Sequence, residues 1–215
     1  VYLPLSWNFW GDLDNNGRNG YLNKKGRWLY SEKNNIENTP INFFYKYDKV
    51  GVLSEGFLAV KYNKKWGYVD IDGKEHIPLK YSDASEFRDG IAKVREFSEE
   101  KHLVREWALI NSRGVHITPF QYYNIIDYGE EFYKVTQYNK ELGRHATGLI
   151  DKTGNIQIPV IYDEIRSENY FHGFYCVKKV GKWGFIDDKG KVVIDFLYNE
   201  IGYESNGLVL FYKRD

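Results

Sequence analysis

The chain has 215 residues, 30 basic and 30 acidic side chains, and 18% aromatic residues, among them 19 Tyr and 6 Trp. The charge balance leaves no overall field to gather nucleic acid or an anionic membrane. So many large rings must be buried or stacked, which excludes a disordered chain, and no apolar run approaches the roughly 20 residues of a membrane span.

Residues 1–17 read as a half-unit: a short strand from Tyr2 to Leu5, then a return segment with Trp7 and Trp10. Five fuller units follow at about 18–56, 57–90, 91–131, 132–173 and 174–207, and an orphan strand, Leu208 to Tyr212, lies in 208–215. Each unit restates one pattern. A middle strand starts at Trp28, Trp66, Trp107 or Trp183, with a weaker copy at Thr147. Seven residues on stands Gly73, Gly114, Gly154 or Gly190, with Asn35 in the first copy. Twelve on stands Pro40, Pro78, Pro119 or Pro159, with Asp195 in the last, and three further comes Phe43, Tyr81, Tyr122, Tyr162 or Tyr198. Such periodicity marks an array of equivalent units.

The stretch from Phe57 to Pro78 shows how one unit is built. Leu58, Val60 and Tyr62 alternate with Ala59 and Lys61, as in a half-buried strand. A polar turn at Asn63–Lys65 leads to the middle strand, Trp66 to Asp70. Asp70-Ile71-Asp72-Gly73 predicts a type I turn, with Asp accepting backbone N–H bonds and Gly taking a left-handed residue. The third strand closes on Pro78, which suits a strand end or an outer edge. Helix signals are weak throughout. The fold class is therefore all-β: tandem three-stranded antiparallel meanders, each followed by a return segment such as Tyr81 to Asp89. An open curved array is expected, with a closed propeller-like ring as the alternative. Gly67, Gly148 and Gly184, with Ala108 in one copy, imply a close neighbour. An aromatic ring of an adjacent unit is the expected one.

The run Lys65-Trp66-Gly67-Tyr68-Val69-Asp70-Ile71-Asp72-Gly73-Lys74, the later Ile77-Pro78 and Tyr81-Ser82-Asp83-Ala84, and Lys182-Trp183-Gly184-Phe185-Ile186-Asp187 resemble the bacterial WG-repeat (KWG-type) family. The resemblance covers nearly the whole chain, with Ala108 and Thr147 as departures. It implies a repeat module in bacterial, often exported or surface, proteins that serves interaction, and it carries no catalytic residues to transfer.

Residue by residue, little chemistry stands out. His76, His102, His116, His145 and His172 show no metal-ligand spacing. Asp12, Asp14 and Asn16 before Gly17 approach a calcium loop, but Asn23 stands where its acidic closer would fall. Cys176 has no partner for a disulfide and is expected to be buried on a strand. No nucleophile elbow or phosphate-cradling glycine loop occurs. No catalytic residue, metal or cofactor is therefore expected, and the protein reads as a non-enzyme.

The turns before the middle strands are basic (Lys64, Lys65, Arg144, Lys178, Lys179, Lys182), whereas the return segments lean acidic (Asp89, Glu130, Glu131, Asp163). Stacked units would thus have a basic and an acidic rim. The repeated tryptophans are expected in the core. Trp7, Trp10, Tyr122, Tyr123 and Tyr128, with Tyr138, are the candidate binding surface. The expected function is a protein-binding scaffold module, with carbohydrate or cell-envelope polymer binding through exposed rings as the alternative. Met is absent, so the chain reads as a mature, trimmed or partial product. Periplasm or cell surface is the expected location, with the cytoplasm as the alternative.

Overall fold

The computed structural model describes residues 47–70, 72–97, 106–171, 173–205 and 208–213. The expectations placed on the half-unit 1–17, on Trp7, Trp10 and Trp28, and on the acidic loop at 12–17 lie outside these residues. All secondary structure described is β, and every pairing is antiparallel between strands adjacent in sequence. The first sheet holds β1 (Lys49–Ser54), β2 (Phe57–Tyr62), β3 (Lys65–Asp70) and β4 (Glu75–Tyr81). The second holds β5 (Asp83–Ala84), β6 (Ile91–Arg95) and β7 (Trp107–Asn111). The third holds β8 (Asn124–Tyr128), β9 (Phe132–Asn139), β10 (Arg144–Asp151) and β11 (Ile156–Tyr162). The fourth holds β12 (Glu164–Phe171), β13 (Phe174–Lys179), β14 (Lys182–Asp187) and β15 (Val192–Tyr198), and β16 (Glu200–Ser205) pairs with β17 (Leu208–Tyr212). Among the described residues the sheets form an open array, with no closed barrel or ring.

The meander is present as expected, and its strands start at Phe57, Ile91, Phe132 and Phe174. The return segment adds a fourth strand. It pairs with the first meander strand of the unit that follows, as β1 does with β2, β8 with β9 and β12 with β13. One residue carries the chain between sheets. At each such hinge the N–H donates to the second strand of the next sheet: Ser82 to Arg95 O at 3.0 Å, Tyr123 to Thr136 O at 2.7 Å, Asp163 to Lys178 O at 2.8 Å, Asn199 to Tyr212 O at 2.9 Å. Asp48 makes the same bond to Lys61 O at 2.7 Å. Tyr47 precedes this first described hinge, and the expectation placed on Phe43 lies outside the described residues.

The acidic turns form as the sequence predicts. The Asp70 carboxylate accepts the N–H groups of Asp72 and Lys74 at 3.0 and 2.9 Å. Asn111, Asp151 and Asp187 do the same in their units. The glycine closing each turn has φ between 76° and 87° (Gly73, Gly114, Gly154, Gly190), where a Cβ would be strained.

The glycine after the tryptophan has a different cause from the one expected. A Cβ at Gly67 would lie 2.6 Å from the Ile77 carbonyl oxygen and 2.8 Å from Leu79 N. At Gly148 and Gly184 it would lie 2.6 Å from the Ile158 and Ile194 oxygens. The close neighbour is thus the third strand of the same unit, not an aromatic ring of an adjacent one. That strand bulges against the glycine: the register shifts between Trp66 and Tyr68, Thr147 and Leu149, and Trp183 and Phe185. The second sheet carries Ala108, and there the third strand is reduced to two isolated bridges, Ile110 to His116 and Trp107 to Tyr122.

The core lies between consecutive sheets. Tyr68, Ile77 and Tyr81 of the first meet Phe87, Val94 and Ile110 of the second. Leu109 of the second meets Ile125, Val135 and Ile150 of the third, and Leu149, Ile158 and Tyr162 meet Ile165, Tyr175 and Ile186 of the fourth. No unit closes a core alone, so each buries its apolar face against the next. The tryptophans are less central than expected. Trp183 is buried, but Trp66 and Trp107 are half-buried. Each has a cation directly across the strand pair: Lys61 opposite Trp66, Arg95 opposite Trp107 and Lys178 opposite Trp183. The charges sit 5.4–5.7 Å from the indole centroids, a cation–π arrangement. Thr147, which replaces Trp, faces Thr136 instead of a cation.

Candidate functional site: an elongated hairpin on one rim

Strict up-and-down alternation sends the chain to two rims. One carries the hairpin tips between the second and third strands of each sheet, together with the hinges. The other carries the acidic turns and the tips at Glu55–Gly56, Asp89–Gly90 and 129–131. This second rim is knitted across units. The Gly90 N–H donates to the Glu55 carboxylate at 2.9 Å, Lys152 pairs with Asp89 at 2.8 Å, and the Gln157 amide donates to Asp188 O at 2.9 Å.

The hairpin rim differs. Lys64, Lys65, Lys140, Arg144, Lys179 and Lys182 lie along it, as the basic turns predict. The acids do not all segregate to the opposite side: Asp163 sits at a hinge on this rim, where Arg144 pairs with it. The third sheet breaks the regularity. The β2–β3 and β13–β14 hairpins use six-residue strands closed by two-residue turns. The β9–β10 hairpin uses eight-residue strands and a four-residue turn, 140–143. Two more residues per strand reach about 7 Å further.

That extension carries an exposed ring cluster. His145 lies opposite Tyr138 across the pair, with ring centroids 5.7 Å apart. Tyr123, at the hinge, brings its ring to 4.8 Å from His145. Tyr123 and Tyr138 are each 52% exposed, and His145 is exposed. Leu142 is exposed at the tip. Tyr138 and His145 stand two residues beyond Thr136 and Thr147 on the same face, where sibling units place their Trp–cation pair. The unit that lost its tryptophan thus presents rings further out.

Two candidates leave the surface. Tyr122 is 2% exposed and Tyr128 5%. Tyr122 fills the buried aromatic slot shared with Tyr81 and Tyr162. Tyr128 packs between the third and fourth sheets and donates its hydroxyl to Arg166 O at 2.9 Å. Residue type alone does not mark His145 as a site residue, although the sequence spacing holds a signal for it. Nine residues separate Phe57 from Trp66 and Phe174 from Trp183, but fifteen separate Phe132 from Thr147 and sixteen separate Ile91 from Trp107, which implies longer connections in those two units.

Other chemistry is sparse. Cys176 is buried and burial pushes its thiol up to about 12, so it is not a thiolate near neutral pH. Among the described residues no three His, Cys, Asp or Glu side chains cluster to hold a metal ion, and no helix is long and apolar enough to cross a membrane. A cleft of about 160 Å³ lies beside Glu86, Arg88, Lys93, Asp127 and Tyr133. It falls below the usual size of a small-molecule site. Its charges are paired, Arg88 with Glu86 at 2.7 Å and Lys93 with Asp127 at 3.1 Å.

Meanders of three or four strands that share cores sheet to sheet, each with an Asx turn and three of the four with a glycine bulge, define a β-repeat array. The model of the WG containing repeat matches residues 45–66, 66–96, 148–183 and 183–215, more than half of the chain, and the protein belongs to that family. The second sheet's strand β7 with Ala108 and most of the elongated hairpin lie outside these matches. No curated protein and no solved structure matches the chain.

Proposed function

We propose that the array is a non-enzymatic scaffold that binds another protein through its hairpin rim, with the β9–β10 hairpin as the anchor. The observation that carries this reading is the exposed Tyr123–His145–Tyr138 cluster on a hairpin longer than the β2–β3 and β13–β14 hairpins. Tyrosine rings of low side-chain entropy on a projecting element have the composition of a binding hot spot, and the surrounding Lys and Arg side chains favour an acidic partner face. The rings stand at the hinge and near the end of a projecting hairpin, a convex placement that suits protein contact better than glycan binding. We place the protein in a bacterium, as an exported component at the periplasm or cell surface.

The test compares the intact protein with the Tyr123→Ala/Tyr138→Ala variant as bait in its native host, alongside a glycan array. The proposal expects a co-purifying protein with the intact bait that is lost with the variant, while the far-ultraviolet spectrum and melting temperature stay unchanged. Glycan binding that disappears in the variant would replace this reading with the carbohydrate one. Equal capture by both baits would move the contact surface elsewhere.

A further inference from the structure

The outer strand of the fourth sheet differs from its equivalents. β4 and β11 carry Pro78 and Pro159 in mid-strand, and β15 carries Asp195 at that position. A proline has no N–H, so on an outer strand it bars a further strand from adding to the sheet. Asp195 restores the donor. Its side chain is exposed, and among the described residues it has no hydrogen-bond or ion-pair partner. Val193 and Leu197, two residues to either side on the same face, are 50% and 48% exposed. The opposite face is also less covered: Ile194 and Tyr198 are half-buried where Ile77, Tyr81, Ile158 and Tyr162 are buried. Further sheets follow β4 and β11, yet among the described residues no strand lies on their outer edges. A following unit therefore does not cover the edge of β15.

We propose that the β15 edge accepts an extended segment of a partner protein as an added strand. The segment has the pattern apolar–x–Lys or Arg–x–apolar. Its backbone groups bond those of β15, its cation meets the Asp195 carboxylate, and its apolar side chains cover Val193 and Leu197. A second copy of the chain fits less well, because antiparallel pairing of β15 with itself about its centre sets Asp195 against Asp195.

This inference rests on the scaffold reading but lies in a different unit from the elongated hairpin, so the two fail separately. The probes are two fluorescein-labelled peptides, one with Val-Thr-Lys-Thr-Val at its centre and one with Val-Thr-Glu-Thr-Val, titrated into the full chain and followed by anisotropy. The Lys peptide should bind, and more tightly than the Glu peptide. Asp195→Pro, which installs the residue its siblings carry, should weaken binding about tenfold by removing one N–H bond and one charge contact. Asp195→Lys should reverse the preference between the peptides, and this second variant decides if the proline variant misfolds. Tyr123→Ala/Tyr138→Ala should leave peptide binding unchanged. No binding of the Lys peptide, or binding indifferent to both Asp195 variants, overturns the proposal. Concentration-dependent self-association abolished by Asp195→Pro overturns the choice of occupant in favour of a second copy.

Discussion

Gly67→Ala is the sharpest test of how a unit is held together. A methyl group there would lie 2.6 Å from the Ile77 oxygen and 2.8 Å from Leu79 N and Pro78 C, all backbone atoms. No side-chain rotation relieves the clash, so β4 must shift away from β3. That shift disturbs Ile77 and Tyr81, which are buried in the core shared with the second sheet. Forced backbone displacement in a close-packed region costs about 2–3 kcal/mol. For a chain of this length that lowers the melting temperature by about 5–10 °C. Calorimetry and urea unfolding of the variant beside the parent supply the measurement. Ala108→Gly is the control, expected to cost the glycine entropy term of about 0.5–1 kcal/mol and about 0.8 kcal/mol for its buried methyl, with no backbone clash. An unchanged melting temperature for Gly67→Ala would refute the bulge as the reason for the glycine.

The other predictions concern rings and charge. Trp66→Ala should cost about 2–3 kcal/mol by urea unfolding, less than full burial would give, because the ring is half-buried beneath Lys61. Tyr122→Ala should cost about 3 kcal/mol and Tyr123→Ala less than about 0.5 kcal/mol, since adjacent tyrosines point to core and solvent. Acid should destabilise the fold through Asp151 and Glu86. Burial pushes Asp151 up, but donors from Thr153 and Asn155 outweigh it and leave the group low. Glu86 is lowered by its own backbone N–H and by Arg88. Both are lower folded than unfolded, so their stabilisation is full above the unfolded carboxylate range of about 4 and is lost as pH falls through the folded values. Asp151→Asn should reduce this acid sensitivity while keeping its turn, as Asn111 does in its own unit.

The elements legible in the sequence were those set by local chemistry. Alternating apolar residues located the strands from Phe57, Ile91, Phe132 and Phe174. The Asx turns followed from Asp or Asn three residues before glycine, because the bonds that make them lie within five residues. Pairing between units was not legible. Whether the segment after Tyr81 bridges two sheets or joins the second depends on bonds such as Ser82 to Arg95, which no local pattern encodes. The same reason separated Tyr122 from Tyr123. Both looked like surface rings by composition, but the hinge turns one toward the core and leaves the other outside. The ring cluster needed the β9–β10 register, which sets His145 opposite Tyr138.

The claim that the hairpin rim is the contact surface is tested most directly by photo-crosslinking in the native host. A photoreactive residue replaces Tyr138 in one variant and Glu131, on the opposite rim, in another. The account predicts a discrete protein adduct from position 138 and none from position 131. An adduct from position 131 with none from position 138 would contradict it.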